Sequence, residues 1–185
     1  MALRPGFQQQ VNLQMLQGLP GDFASDRTAV TLSANGLFAK GDVTVGNACF
    51  YGTSGNQVVS NSSNGTNAVA GFVIRNAGLS PMGWSDSQAG FGFVVPDGTQ
   101  ANVATGGDFM AVITGINSSG VADHVPVIGD IIWVNLTTGA LASAPSSVST
   151  ATGYIKTGWK VTKVGLLTQA TVSTNQTFGV FSGQL

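Results

Sequence analysis

The 185-residue chain carries seven Lys and Arg, eight acidic residues that are all Asp, and one His, for a formal net charge of −1. Charged residues make up 8% of it against roughly 25% in an average globular protein, and its 26 Gly are about twice the usual share. These figures exclude wholesale disorder, since 43% of the residues are apolar, and exclude a helical bundle, since Gly, Thr, Val, Ser and Asn replace the usual helix formers. The cations are too few and too scattered to neutralise a phosphate backbone, so no direct nucleic-acid partner is expected. No apolar run approaches the ~18–20 residues of a membrane span, so no membrane partner is expected either. The length fits one domain.

Residues 1–20 differ from the rest. They hold one cation near the start but no continuous apolar stretch, so they do not read as a secretory signal. Gln8, Gln9, Gln10, Gln14 and Gln17 interleave with Val11, Leu13, Met15 and Leu16. Leu13, Leu16 and Leu19 sit at the spacing of a short amphipathic helix. The favoured reading is instead an extended arm, because Pro20-Gly21 separates it from the remainder of the chain. Residues 21–185 then read as a single β domain. Val43 and Val45 alternate with Thr44, and Ala48 and Phe50 follow a Gly-Asn turn. Phe91, Phe93 and Val95 share one side of a strand ending in Pro96-Asp97-Gly98. Phe109, Ala111 and Ile113 alternate with Met110 and Val112, and residues 131–134 are apolar on both faces. Turn signals at Asn35-Gly36, Gly41-Asp42, Asn64-Gly65, Gly106-Gly107, Gly129-Asp130 and Thr138-Gly139 punctuate these runs. Short strands with turns every 8–12 residues predict an all-β fold, an antiparallel β-barrel or a jelly-roll-like sandwich.

An internal echo links the two halves. Val45-Gly46-Asn47-Ala48-Cys49-Phe50 resembles Ile128-Gly129-Asp130-Ile131-Ile132-Trp133, and Gly71-Phe72-Val73-Ile74 resembles Gly165-Leu166-Leu167-Thr168. Similar hairpins in one domain explain it without duplication. Residues 143–158 are polar and of low complexity, and read as a long loop.

Catalytic chemistry is sparse. General acid–base work needs a tuned titratable group with a partner. The lone His124, between Asp123 and Val125-Pro126, reads as an exposed loop residue, and no Gly-x-Ser-x-Gly elbow accompanies it. The single Cys49 lies in an apolar stretch and reads as a buried, inert thiol. One His and one Cys make no ordinary zinc site, and no Asp-x-Asp-x-Asp-Gly loop occurs, so neither a metal nor any other cofactor is expected. Gly90-Phe91-Gly92 and Gly106-Gly107 lack the Lys and helix of a phosphate loop. Asn-x-Ser/Thr sequons such as those at Asn61 and Asn117 are what chance supplies in so Asn- and Ser-rich a chain. Among the tryptophans, Trp133 reads as core, whereas Trp84 and Trp159 are candidates for an exposed interface.

The ordered motifs carry a resemblance. Gly21-Asp22-Phe23-Ala24-Ser25-Asp26-Arg27 follows the Gln-rich arm. Gly36-Leu37-Phe38-Ala39-Lys40-Gly41-Asp42-Val43-Thr44-Val45-Gly46 comes next, then Gly71-Phe72-Val73-Ile74-Arg75, Val95-Pro96-Asp97-Gly98 and Gly106-Gly107-Asp108-Phe109. Last is Gly129-Asp130-Ile131-Ile132-Trp133-Val134-Asn135 with Thr138-Gly139. Over residues 8–170 this order resembles the structural cement, or capsid decoration, proteins of tailed bacteriophages. The resemblance implies a β-rich, non-enzymatic virion protein. It would be made in the host cytoplasm, bind the outer surface of the capsid, clamp adjacent capsomers and self-associate as a homo-dimer or homo-trimer, with the major capsid protein as partner. It brings no catalytic residues.

The residues fit that role. Low surface charge reduces the desolvation penalty of lateral packing. An extended arm can add a strand to an exposed sheet edge, with Phe7, Val11, Leu13, Met15 and Leu16 as anchors. Asp22 either pairs with Arg27, fixing the exit of the arm, or caps local amides in a Gly-Asp turn. Two alternatives stay open: a carbohydrate-binding or adhesin module of a tail fibre or cell surface, with Trp84 or Trp159 as its platform, and a hydrolase with an Asp dyad.

Overall fold

The computed structural model describes residues 21–22, 24, 30–31, 37–52, 58–63, 65, 67–74, 94–165 and 175–184. Among these residues there are twelve strands and no helix, as the composition predicts. The first half supplies β1 (Val30–Thr31), β2 (Phe38–Ala39), β3 (Val43–Thr44), β4 (Ala48–Tyr51), β5 (Val58–Ser60), β6 (Val69–Val73) and β7 (Val94–Val95). The second supplies β8 (Val103–Gly115), β9 (Ile131–Asn135), β10 (Leu141–Ala144), β11 (Tyr154–Lys163) and β12 (Gln176–Gln184). Of the two predicted architectures, the barrel is the one present.

The barrel forms around β8. Strands β8, β12, β11, β9 and β10 pair in that order, and a parallel pairing of β10 back onto β8 (Leu141 beside Ile113) closes the ring. The predicted alternation of β8 sets its inside: Phe109, Ala111 and Ile113 are buried, and Val112 faces out. Full closure leaves the ring without a free edge, which protects so apolar a strand set from pairing with other chains. The interior centres on four aromatic rings. Phe72 and Phe181 lie 4.9 Å apart edge to face, Trp159 and Phe181 5.2 Å, and Phe72 and Trp159 6.3 Å at 90°. Such offset and T-shaped contacts add stabilisation beyond area burial.

Strands β6, β4, β5 and β2 extend the sheet from β8, and β3 pairs with β7 as a separate ribbon. Here period-2 alternation serves two cores at once. On β4, Ala48 and Phe50 face the barrel core, while Cys49 faces a second core with Val43, Val59, Val73 and Val103. On β6, Phe72 faces the first and Val73 the second. A wall apolar on both sides explains why residues 48–50 and 72–74 show no polar position. Burial pushes the Cys49 thiol far above the usual thiol range, and its Sγ lies 3.7 Å from the Gly71 carbonyl. Cys49 is therefore expected to stay unreactive toward a thiol reagent in the native protein and to react fully in denaturant. Native-state modification at the rate of a free thiol would contradict the placement.

The two halves meet at a turn. Ala48 donates its N–H to the Gly139 carbonyl (2.9 Å), Ser63 to Leu136 (2.8 Å), and the Asn47 amide reaches Thr138 (3.3 Å). Asn61, notable in sequence only as a sequon, accepts from Thr44 N–H (2.6 Å) and donates to the Ala48 carbonyl (2.8 Å). The echoing segments hold equivalent places: each opens a hairpin, β4–β5 or β9–β10, and each hairpin takes a third antiparallel strand, β6 or β11. The second part of the echo does not align, because Gly165 follows β11.

Two expectations need correction. Gly106-Gly107 is not a turn but lies inside β8, opposite Gly183 and Gln184 of β12, where absent side chains allow close backbone approach. The loop predicted over 143–158 shrinks to 145–153. Ser143 stays in β10 because its hydroxyl reaches the Asp130 carboxylate (3.4 Å) and its carbonyl takes Ile116 N–H (2.8 Å). Residues 154–158 begin β11, although irregular: the register slips between Lys156 and Lys160, and Thr157 Oγ1 donates to the Ile132 carbonyl across the bulge (2.7 Å).

Candidate functional site

Among the described residues, four of the six large apolar side chains that stand exposed fall within one loop, between β8 and β9. The loop begins as an Asx turn. Asn117 Oδ1 accepts from the N–H groups of Ser119 (2.9 Å) and Val121 (3.2 Å), and the Gly120 N–H bonds the Asn117 carbonyl (3.0 Å). It then packs against the end of the barrel: a Cβ on Gly115 would collide with the His124 carbonyl, and Asn175 Nδ2 holds the Ala122 carbonyl at 2.8 Å. It ends on β11, where Gly129 N–H meets the Val161 carbonyl and Val161 N–H meets the Asp130 carbonyl, both at 2.9 Å.

The loop is braced from inside by one buried carboxylate. Asp130, buried, gathers one carboxylate oxygen against His124 Nε2 (2.7 Å), Val127 N–H (3.0 Å) and Ser143 Oγ (3.4 Å). Beside the exposed Asp123, the loop presents Val121, Val125, Val127 and Ile128 to solvent, Ile128 at 67% exposure. Four exposed aliphatic side chains within eight residues make this loop a candidate contact surface.

His124 is therefore not the exposed residue predicted. It is half-buried, and its partner is Asp130 rather than the adjacent Asp123, because the loop turns back between them. In the sequence Asp130 reads only as part of a Gly-Asp turn. The available signal is its place at the head of an all-apolar strand, where a carboxylate must find donors as the strand is buried. The cluster does not activate a nucleophile: Ser143 and His124 both bond the same Asp130 oxygen, so the hydroxyl is directed at the carboxylate and not at the imidazole. No three His, Cys, Asp or Glu side chains group as metal ligands among the described residues.

A second feature lies at the exit of the N-terminal segment. Gly21 N–H bonds the Met110 carbonyl (2.9 Å), Met110 N–H the Asp22 carbonyl (2.9 Å) and Ala24 N–H the Asp108 carbonyl (2.8 Å). Gly21, Asp22 and Ala24 thus line β8 on the edge away from β12, and main-chain pairing fixes where the chain enters the domain. The sequence points to side chains for that anchor, an Asp22–Arg27 pair or an Asp22 cap. Phe23 and Arg27 lie outside the described residues, as do Phe7, Val11, Leu13, Met15, Leu16 and Trp84.

Trp159 is a correction. Expected at an exposed interface, it is fully buried in the barrel core, because it alternates with Val161 on the inward face of β11. Buried there, it cannot serve as a sugar-binding platform. Trp133, as expected, is buried; it packs with Ile116, Ile131 and Ala142 on the outer side of β9.

Similarity to a known family extends over most of the chain. The family described as "Structural cement protein (E217 gp24/Pam3 gp6)", a phage family, matches residues 7–180. No curated protein sequence matches the chain. Among solved structures, a chain from the capsid of Myoviridae phage XM1 is similar at 14% identity and a TM-score of 0.49, covering 98% of this chain and 97% of that one. A likeness that loose bears no weight beside the family match, which spans both cores and the loop between β8 and β9. The chain belongs to the phage structural cement protein family and is a structural protein of the virion capsid.

Proposed function

We propose that this protein binds the outer surface of the capsid at the joints between capsomers and clamps neighbouring copies of the major capsid protein, stabilising the DNA-filled head. The observation that carries the reading is the family match from residue 7 onward, which takes in the N-terminal segment as well as the β domain. In this reading residues 1–20 are an arm and residues 21–185 one β domain. Phe7, Val11, Leu13, Met15 and Leu16 anchor the arm on a neighbour by strand addition, and Gly21, Asp22, Phe23 and Arg27 set its exit. The main-chain bonds of Gly21, Asp22 and Ala24 to β8 support a fixed point of departure. Twenty extended residues reach roughly 70 Å, whereas a domain of this size has a radius of gyration of roughly 15 Å, so the arm spans to a neighbour with length to spare. Self-association as a dimer or trimer would multiply these contacts, and many copies on one shell turn modest affinity into avidity. Clamping needs area rather than reactivity, consistent with a structural and non-enzymatic family.

Deleting residues 1–20 is expected to leave the melting transition of the β domain unchanged and to weaken binding to undecorated, expanded shells by roughly 100-fold or more. The measurements are thermal denaturation and cosedimentation with shells. Full binding by the truncated chain would refute the role of the arm.

A further inference from the structure

The acids of this chain are confined to its first 130 residues: all eight Asp lie there, with four cations, and residues 131–185 hold three Lys and no acid. The three are Lys156, Lys160 and Lys163, all on β11 and all exposed. Simple alternation would put Lys160 and Lys163 on opposite faces. The strand irregularities prevent this. Lys156 and Lys160 pair with Trp133 and Ile131, which share one face of β9, and Lys160 and Lys163 pair with Ser182 and Val180, which share one face of β12. The shift between Val161 and Lys163 thus keeps Lys163 on the outside of the barrel with Lys156 and Lys160, opposite Val161 and Phe181 in its core. The flanking strands β9 and β12 carry no charged residue. Lys156 lies over the Trp133 ring (5.7 Å) and reaches the Val148 carbonyl (3.5 Å). Among the described residues, no ion pair joins Lys160 or Lys163 to a carboxylate. The aliphatic loop adjoins this face, since Gly129 is bonded to Val161, next to Lys160.

We propose that the outer face of β11, together with Val127 and Ile128, docks on an acidic, partly apolar patch of the capsid shell. The inference rests on the capsid-binding reading and adds the surface and the chemistry of its partner. Charge selects the partner: β11 presents three lysines and the strands flanking it carry no acid, so this strip is complementary to carboxylates, with Asp108 of β8 two strands away, across Ser182 from Lys160. Size selects it too. This patch numbers about half a dozen residues, against the roughly 20–30 a side of a stable soluble pair, so it suits a contact repeated over a lattice rather than a dimer. Nucleic acid fits poorly, because three phosphate contacts give only weak, salt-sensitive binding and leave the aliphatic side chains unpacked.

The test uses the full chain and undecorated, expanded shells in cosedimentation, with thermal melts to confirm folding. Lys160→Glu/Lys163→Glu is expected to lower affinity at low salt by about tenfold or more. That difference should largely vanish near 1 M salt, where the Debye length falls to ~3 Å. Lys160→Gln/Lys163→Gln should lose less, and Val127→Ser/Ile128→Ser should lose binding at both salts. Unchanged shell binding by the charge-reversed variant would overturn the proposal. So would unchanged shell binding combined with loss of self-association in sedimentation, or with loss of DNA binding, either of which would reassign the face. Failure of the wild-type chain to bind shells would instead overturn the capsid-binding reading itself.

Discussion

Trp159→Ala is expected to lower the unfolding free energy by about 3–5 kcal/mol and the melting temperature by on the order of 10 °C. Trp159 is fully buried and touches three further aromatic rings of the barrel core, Phe72, Phe109 and Phe181. Truncation removes both the apolar transfer term and the ring contacts, and the closed barrel has little freedom to collapse into the cavity. Trp159→Phe should cost much less. Its indole Nε1 is buried without an acceptor among the described residues, so the smaller ring removes an unpaired donor as it removes volume. Chemical denaturation of the three proteins measures both. A loss below about 1 kcal/mol for Trp159→Ala, the range of ordinary surface substitutions, would place the residue outside the core.

Gly139→Ala is expected to destabilise by about 2–4 kcal/mol. Two causes combine. Gly139 holds φ +67°, which an L residue adopts only with strain, and a Cβ there would collide with the Ala48 carbonyl. That carbonyl is already the acceptor for Asn61 Nδ2, and the Gly139 carbonyl is the acceptor for Ala48 N–H. The substitution therefore strikes the junction between the two halves. Gly129→Ala is the control: φ is +95° but nothing lies within 4 Å of its Cβ, so only the backbone term of about 1–2 kcal/mol remains. Equal losses for the two variants would mean that the turn contributes nothing to joining the halves.

Much of the barrel is legible in the sequence where one period governs a run. Phe109, Ala111 and Ile113 alternate cleanly, and residues 131–134 are apolar on both faces because the barrel core lies on one side and Trp133, Ile116 and Ala142 pack on the other. Legibility fails where irregularity breaks the period. The bulges of β11 interpose Thr157-Gly158 before Trp159, which makes a strand read as loop and a core tryptophan read as exposed. It fails again where the partner is distant in sequence. Ser143 with Asp130, Asn61 with Thr44 and Ala48, and Gly139 against Ala48 are tertiary pairings that no local pattern encodes. The parallel closure of β10 on β8 likewise depends on chain crossing and not on composition. For the site, the exposed aliphatics of residues 121–128 are visible as residues, but the inward polar bracing by Asp130 that frees them to face solvent is not.

Low charge also takes on a sharper meaning. Three of the four lysines are collected on one outer strand, in a stretch of chain that holds no acid.

The chain belongs to the structural cement protein family, and under the proposed function it occupies the joints between capsomers. The most direct measurement is the number of copies per major capsid protein in purified virions, by quantitative gel or mass spectrometry. A copy number of the same order as the major capsid protein is the predicted result; a handful of copies, or none, would contradict it.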